Sequence, residues 1–187
     1  MQPHPTTVCM QLMDSLVAPA VVTAQECPGV DGRNCSSNCQ LHICEALIDF
    51  FKVSNNASDP WDEEEGWIDS ETKSCQQLLS VPGKNGMPAY CDWYGVQCCD
   101  AQRRAQNQCY VLGSVRGLYL HMNNLNMSLE NPVLIRSMKT LHDCGMVIFD
   151  VESSNIAGKL TDDWGHLKHM QYFNIGECLE GAVCAGT

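Results

Sequence analysis

Basic residues are scarce in this chain. Eleven Lys and Arg stand against 22 Asp and Glu, a formal net charge of −11. That balance speaks against nucleic acid or an anionic membrane as partner, since both attract cationic surfaces. No apolar run approaches the roughly 20 residues of a membrane-crossing helix, so no span is expected. The common signatures of catalysis are missing as well: there is no nucleophile elbow, no phosphate loop, no paired zinc motif and no Cys-x2-Cys. The expectation is a protein that is not an enzyme and that needs neither cofactor nor metal.

Cysteine, by contrast, is abundant. Thirteen of 187 residues are Cys, more than a reducing compartment usually carries, and this points to a disulfide-stabilised protein that is secreted or on the cell surface. Sequons at Asn34, Asn56 and Asn126 agree with that setting as candidate glycosylation sites. Val8 to Ala24 is mostly apolar, and Val22-Thr23-Ala24 would suit signal peptidase, but no basic segment precedes it. Residues 1–25 are therefore read either as a signal peptide or as an amino-terminal arm. Residues 26–44 hold Cys27, Cys35, Cys39 and Cys44 among Gly, Pro, Ser and Asn, the composition of a disulfide-stapled extension. Cys35, Cys39 and Cys44 with His42 offer a competing zinc reading, but the Cys-x2-Cys pair of such sites is lacking.

From Cys44 the texture changes. Ala46, Leu47, Phe50 and Phe51 fall at helical spacing, and a short helix is expected to end before Asn55. Residues 54–90 read as a long irregular segment. Seven of the acidic residues lie between Asp59 and Glu71, and Trp61 and Trp67 are expected to anchor the loop to the core.

The second half repeats itself. In Val115 to Leu129, apolar residues fall at Val115, Leu118, Leu120, Leu125 and Leu129, with Asn123 in the bend. Met146, Phe149, Val151, Ile156 and Leu160 occupy the same places in the next copy, and a third begins at Met170 with Phe173 and Ile175 in register and Cys178 at the bend. Leu118 to Phe149 spans 31 residues and Phe149 to Phe173 spans 24. A period in the twenties with a Leu-x-Leu strand core and an Asn or Cys turn is the signature of leucine-rich repeats. No single unit of that kind buries its own apolar face, so neighbours must stack. Pro132 with Leu134, Met138 and Leu141 reads as a helix between the first two strands, and Asp162 to Met170 as a shorter turn. His166 and His169 would share a helical face, though an Asp-rich turn makes solvated side chains the simpler reading.

The run ALIDFFK, a tryptophan-bearing loop, Cys91-Asp-Trp-Tyr-Gly-Val-Gln-Cys98 and then VRGLYLHMNNL resembles the amino-terminal cap and first repeat of plant-type leucine-rich-repeat proteins. NIAGKL at Asn155 to Leu160 is similar to the trailing segment that adds a second short strand to each repeat of that family. The resemblance covers roughly residues 44–178. It implies an α/β fold, a short leucine-rich-repeat solenoid of about 2.5 repeats behind a disulfide-bonded helical cap, with a Cys91–Cys98 bridge. The cap loop is longer than the family's, Cys99 beside Cys98 leaves room for a shifted pairing, and the proline that closes each family unit is absent after Leu129 and Leu160. The implied organisation is a cap with a long acidic loop at 45–110 followed by repeats at 111–187.

What the resemblance implies about function is a protein or peptide partner held on the concave strand face. There the outward residues would be Arg116, Tyr119, His121 and Met122, then Ile148, Asp150, Glu152 and Ser153, then Tyr172, Asn174 and Glu177. Tyr119, Tyr172 and Arg116 have the size and amphipathic character of interface anchors. Two full units and a fragment would leave an apolar edge, so a second expectation is a structural subunit of a larger extracellular or organellar assembly, or self-association. Cys178 and Cys184 are candidates for a small disulfide loop that blunts the edge. An inhibitor of a secreted hydrolase is a further reading, by family analogy alone.

Overall fold

Helix α1 (Ser37–Ser54) begins where Ser36, in an extended conformation, accepts the backbone N–H of Cys39 at its side chain and so satisfies one of the donors that a helix start leaves unpaired. The computed structural model describes residues 36–55, 58, 60–67 and 72–176. Asn34, Asn56, Cys27, Cys35, Cys178, Cys184 and Glu177 lie outside them. α1 corrects two expectations. It starts seven residues before Cys44, so the boundary drawn between an extension and a cap at 44/45 runs through a helix. Cys44 also bonds not within 26–44 but to Cys75, 31 residues on. Apart from Gln40 and Leu41 the residues of SNCQLHIC are middling to poor helix formers, yet Cys39, Ile43 and Cys44 are fully buried, and packing overrides propensity.

After α1 the chain is irregular but anchored. Helix α2 (Cys75–Leu79) carries a capping box, Ser74 with Gln77. Trp61 and Trp67 are buried against Phe50 and Phe51, with Trp61 edge-on to Phe51 at a ring separation of 4.9 Å and Trp67 tilted against Trp93 at 4.9 Å. Each indole N–H reaches a carbonyl, Trp61 that of Ser54 and Trp67 that of Tyr94. Cys91 is bridged to Cys98, as the resemblance implied, and Cys99 to Cys109. The adjacent pair thus serves two different loops. Cys39 and Cys144 are also disulfide-bonded.

The strands are short: β1 (Val96–Cys98), β2 (Val115–Tyr119), β3 (Asn126–Ser128), β4 (Ile148–Asp150), β5 (Asn155–Ala157) and β6 (Tyr172–Asn174). A helical turn, α3 (Ala101–Ala105), separates β1 from β2, and α4 (Pro132–Asp143) separates β3 from β4. The strands form a four-stranded sheet in the order β1-β2-β4-β6, with β1 antiparallel and the rest parallel, and a two-stranded parallel sheet of β3 and β5. Leu118 stands opposite Phe149 and Phe149 opposite Phe173, the alignment drawn from the repeat. The segment between β2 and β4 contains the 12-residue α4, whereas a five-residue 3-10 turn, Asp162–His166, lies between β4 and β6. That difference accounts for the seven extra residues of the first unit.

One apolar core runs through the molecule. Leu118, Leu120, Leu125, Phe149 and Val151 are fully buried, and Phe50 of α1 meets Phe149 edge-on at 6.0 Å. α1 packs along α4, where Arg136 also reaches Asp49 at 3.4 Å. Leu129 is 3% exposed, and the Trp164 indole donates to its carbonyl. Leu160, which matches it in the next copy, is 44% exposed; the Trp164 turn stands over Leu129, and none of the described elements covers Leu160 in the same way. Among the described residues, no helix is long and apolar enough to cross a membrane.

Candidate functional site

The four-stranded sheet has one face in the core and one outside it. The ladder places Gln97 opposite Gly117, Gly117 opposite Ile148 and Ile148 opposite Tyr172. In the next row Tyr119, Asp150 and Asn174 stand side by side. Since side chains alternate across a strand, residues two apart, such as Gly117 and Tyr119, share the outer face. Six of the eight residues expected to bind a partner thus come together: Arg116 sits at the β2 end of the rows, with Tyr119, Ile148, Asp150, Tyr172 and Asn174 within them. His121 and Glu152 are exposed just past the strand ends.

Two polar clusters order this face. Arg116 donates from Nη1 to Gln97 Oε1 at 2.6 Å and to the Tyr119 hydroxyl at 3.4 Å, and from Nε to the Gln108 carbonyl at 3.0 Å. Its guanidinium is therefore held in place before any partner arrives. At the other end Asn174 Nδ2 donates to Asp150 Oδ1 at 3.2 Å, Glu152 Oε2 at 3.0 Å and the Tyr172 hydroxyl at 3.1 Å. Arg116 thus lies towards β1, and the carboxylates of Asp150 and Glu152 lie towards β6.

Ile148 does not serve as expected. It is 8% exposed, because Gly117 opposite it has no side chain and the Tyr119 ring lies over that gap. A Cβ added at Gly117 would come within 2.9 Å of Ile148 Cβ and 3.0 Å of Tyr119 Cε2. Ile148 is a floor for the face and offers little contact area of its own. Asn126, the sequon within the described residues, opens β3 with its side chain half-buried.

Sequence reasoning missed Gln97 and Gly117, both of which shape the face. It also missed a hollow of about 440 Å³ beside β1, lined among others by Lys84, Asp92, Gln97, Arg103 and Tyr119. The pairing of β1 with β2 is what brings them in, and the only earlier signal was the polar Gln between two apolar strand residues.

The acidic loop is tied to the same edge. Asn123 is 1% exposed; its Oδ1 accepts the Glu63 N–H at 2.6 Å and its Nδ2 donates to the Glu63 carbonyl at 3.1 Å. Asn124 adds a bond to the Pro60 carbonyl. Met122 beside them has φ 55° and is 71% exposed, so the bend following β2 presents an apolar side chain to solvent.

His166 and His169 do not form the simple i, i+3 pair. His142, from the end of α4, lies between them, stacked on His169 and edge-on to His166. Among the described residues no group of three or more His, Cys, Asp or Glu is arranged to hold a metal ion. In comparisons with known proteins the chain matches no family model, no curated protein and no solved structure.

Proposed function

We propose that the chain is a leucine-rich-repeat solenoid behind a disulfide-bonded cap, and that it works without enzymatic chemistry as an extracellular recognition module. Its partner is a protein or peptide held on the outer face of the four-stranded sheet. The observation that carries this reading is the pair of rows across that face, in which Arg116, Tyr119, Tyr172 and Asn174 are pre-positioned by hydrogen bonds to one another and to Gln97, Asp150 and Glu152. Side chains already ordered in the free protein lose less entropy when a partner binds. The coincidence of the sequence repeat with the strand register supports the solenoid. Three described disulfides support a setting outside the cytosol.

The test is capture of released proteins from the expressing cells on immobilised full-length chain. Tyr119→Ala with Asp150→Lys and Tyr172→Ala should abolish retention of whatever the wild type holds. Arg136→Glu, on the helical side, should leave it unchanged. Equal retention by the triple variant would overturn the reading.

A second reading, a structural subunit of a larger assembly, is favoured by Leu160 at 44% exposure and by the half-buried Phe173 and Ile175 on and beside the last strand of the described sheet. The molar mass in solution separates the two: a monomer counts against the subunit, and obligate multimers count for it.

A further inference from the structure

We propose that His142, His166 and His169 form an acid-operated latch that holds the 162–176 segment, with its 3-10 turn and β6, against the end of α4. His142 is 7% exposed and is the next-to-last residue of α4. Its Nε2 accepts the backbone N–H of His169 at 3.3 Å, so that nitrogen carries no proton in the latched chain. Its Nδ1 faces Asp143 Oδ1 at 3.5 Å. The ring stacks on His169 with centroids 5.8 Å apart and planes 6° from parallel, and stands edge-on to His166 at 6.4 Å. Nε2 of His166 is itself buried and meets no hydrogen-bond partner among the described residues.

Protonating His142 turns its acceptor into a donor. The His169 N–H then faces another N–H, and a charge sits in a buried ring packed against two other imidazoles. The titratable groups that bear on the ring are Asp143 on its own helix and His166 and His169 on the opposing segment; the Asp143 carboxylate is already shared with Lys139. Burial is the largest influence and holds the His142 pKa below its ordinary 6.5, the two histidines push the same way, and Asp143 opposes them. The sign follows from this order. The released ring binds its proton near 6.5 and the latched ring only at lower pH, so opening takes up a proton and the latch weakens as pH falls from 6.5 through the latched value. Trp164, which donates to the Leu129 carbonyl, and the β4–β6 ladder hold the segment at neutral pH together with the latch. The latch is present in the free chain and does not depend on a partner, although the segment it holds carries Tyr172 and Asn174 of the outer sheet face.

The experiment is amide hydrogen exchange on the full-length, disulfide-intact chain at about pH 7.5 and about pH 5, a range in which histidine changes charge, corrected for intrinsic exchange rates. Peptides from 162–176 should exchange several-fold faster in acid, with β1 and β2 unchanged. His142→Gln keeps an acceptor for the His169 N–H but cannot titrate, and should remove the acid response. Equal protection of the wild type at both pH values overturns the latch, and so does an unchanged acid response in His142→Gln. If that variant is open at both pH values, the wild-type midpoint decides. A midpoint that coincides with the His142 ring titration followed by NMR supports the latch, and one in the carboxylate range, near about 4, overturns it.

Discussion

Asn123 does with one side chain what a strand does with a backbone. It pairs with both the N–H and the carbonyl of Glu63 from a position 60 residues away, so the acidic loop is clamped to the bend after β2. Asn123→Ala leaves both Glu63 groups without their partner and should cost about 1–3 kcal/mol in denaturant unfolding, with the Glu63 amide losing its exchange protection. Tyr90 is a second buried clamp, donating to the Gly113 carbonyl at 2.7 Å. Burial holds its hydroxyl well above the usual tyrosine range. The folded chain keeps that proton where the unfolded chain gives it up, so stability from this group is complete below pH 10 and falls as pH rises beyond it. Tyr90→Phe should lose about 1–3 kcal/mol at neutral pH and flatten the alkaline decline, both read from chemical denaturation across pH. Gly117 is the third case. The 2.9 Å that a Cβ would find to Ile148 makes Gly117→Ala an overpacking change, with an expected loss of about 1–3 kcal/mol and a displaced Tyr119 ring.

Bridges and helices divide into features that were readable and features that were not. The strand cores were legible because Leu118, Phe149 and Phe173 recur at matched places, and the Pro132 helix because Leu134, Met138 and Leu141 keep a helical period above a proline start. The first half of α1 was not: in SNCQLHIC only Gln and Leu are strong helix formers, and its main reason to be a helix is the burial of Cys39, Ile43 and Cys44 against distant residues. The Cys44–Cys75 bridge was hidden for a similar cause, since spacing does not encode which cysteines a fold brings within reach. The chain-entropy model predicts how the bridges rank. Closing 31 residues between Cys44 and Cys75 should contribute about 3.5 kcal/mol, and closing ten between Cys99 and Cys109 about 2.5–3 kcal/mol. Cys44→Ala with Cys75→Ala should therefore lower the unfolding midpoint more than Cys99→Ala with Cys109→Ala, as thermal melts of the two double variants would register.

Taken whole, the described residues share one apolar core that begins in α1 and its tryptophans, passes through Phe50 and Phe149, and continues under β6. Its outer sheet face was partly legible. Alternation about Leu118, Phe149 and Phe173 predicted that Tyr119, Asp150, Tyr172 and Asn174 point outward together, because a side-chain period of two is a local property; Arg116, two residues from Leu118, joins them instead where the β1–β2 register shifts beside Cys98. The members that depend on neighbouring strands were not predictable: Gln97 enters through the antiparallel pairing of β1, Ile148 is lost to burial through the missing side chain of Gly117, and His142 reaches its two histidines across 24 and 27 residues of chain. Partner recognition on this face is best tested by hydrogen-exchange footprinting of the captured complex against the free chain at neutral pH. New protection should fall on 116–121, 148–152 and 172–174 and spare α4; protection confined to α4 and α1, with the sheet face unchanged, would contradict it.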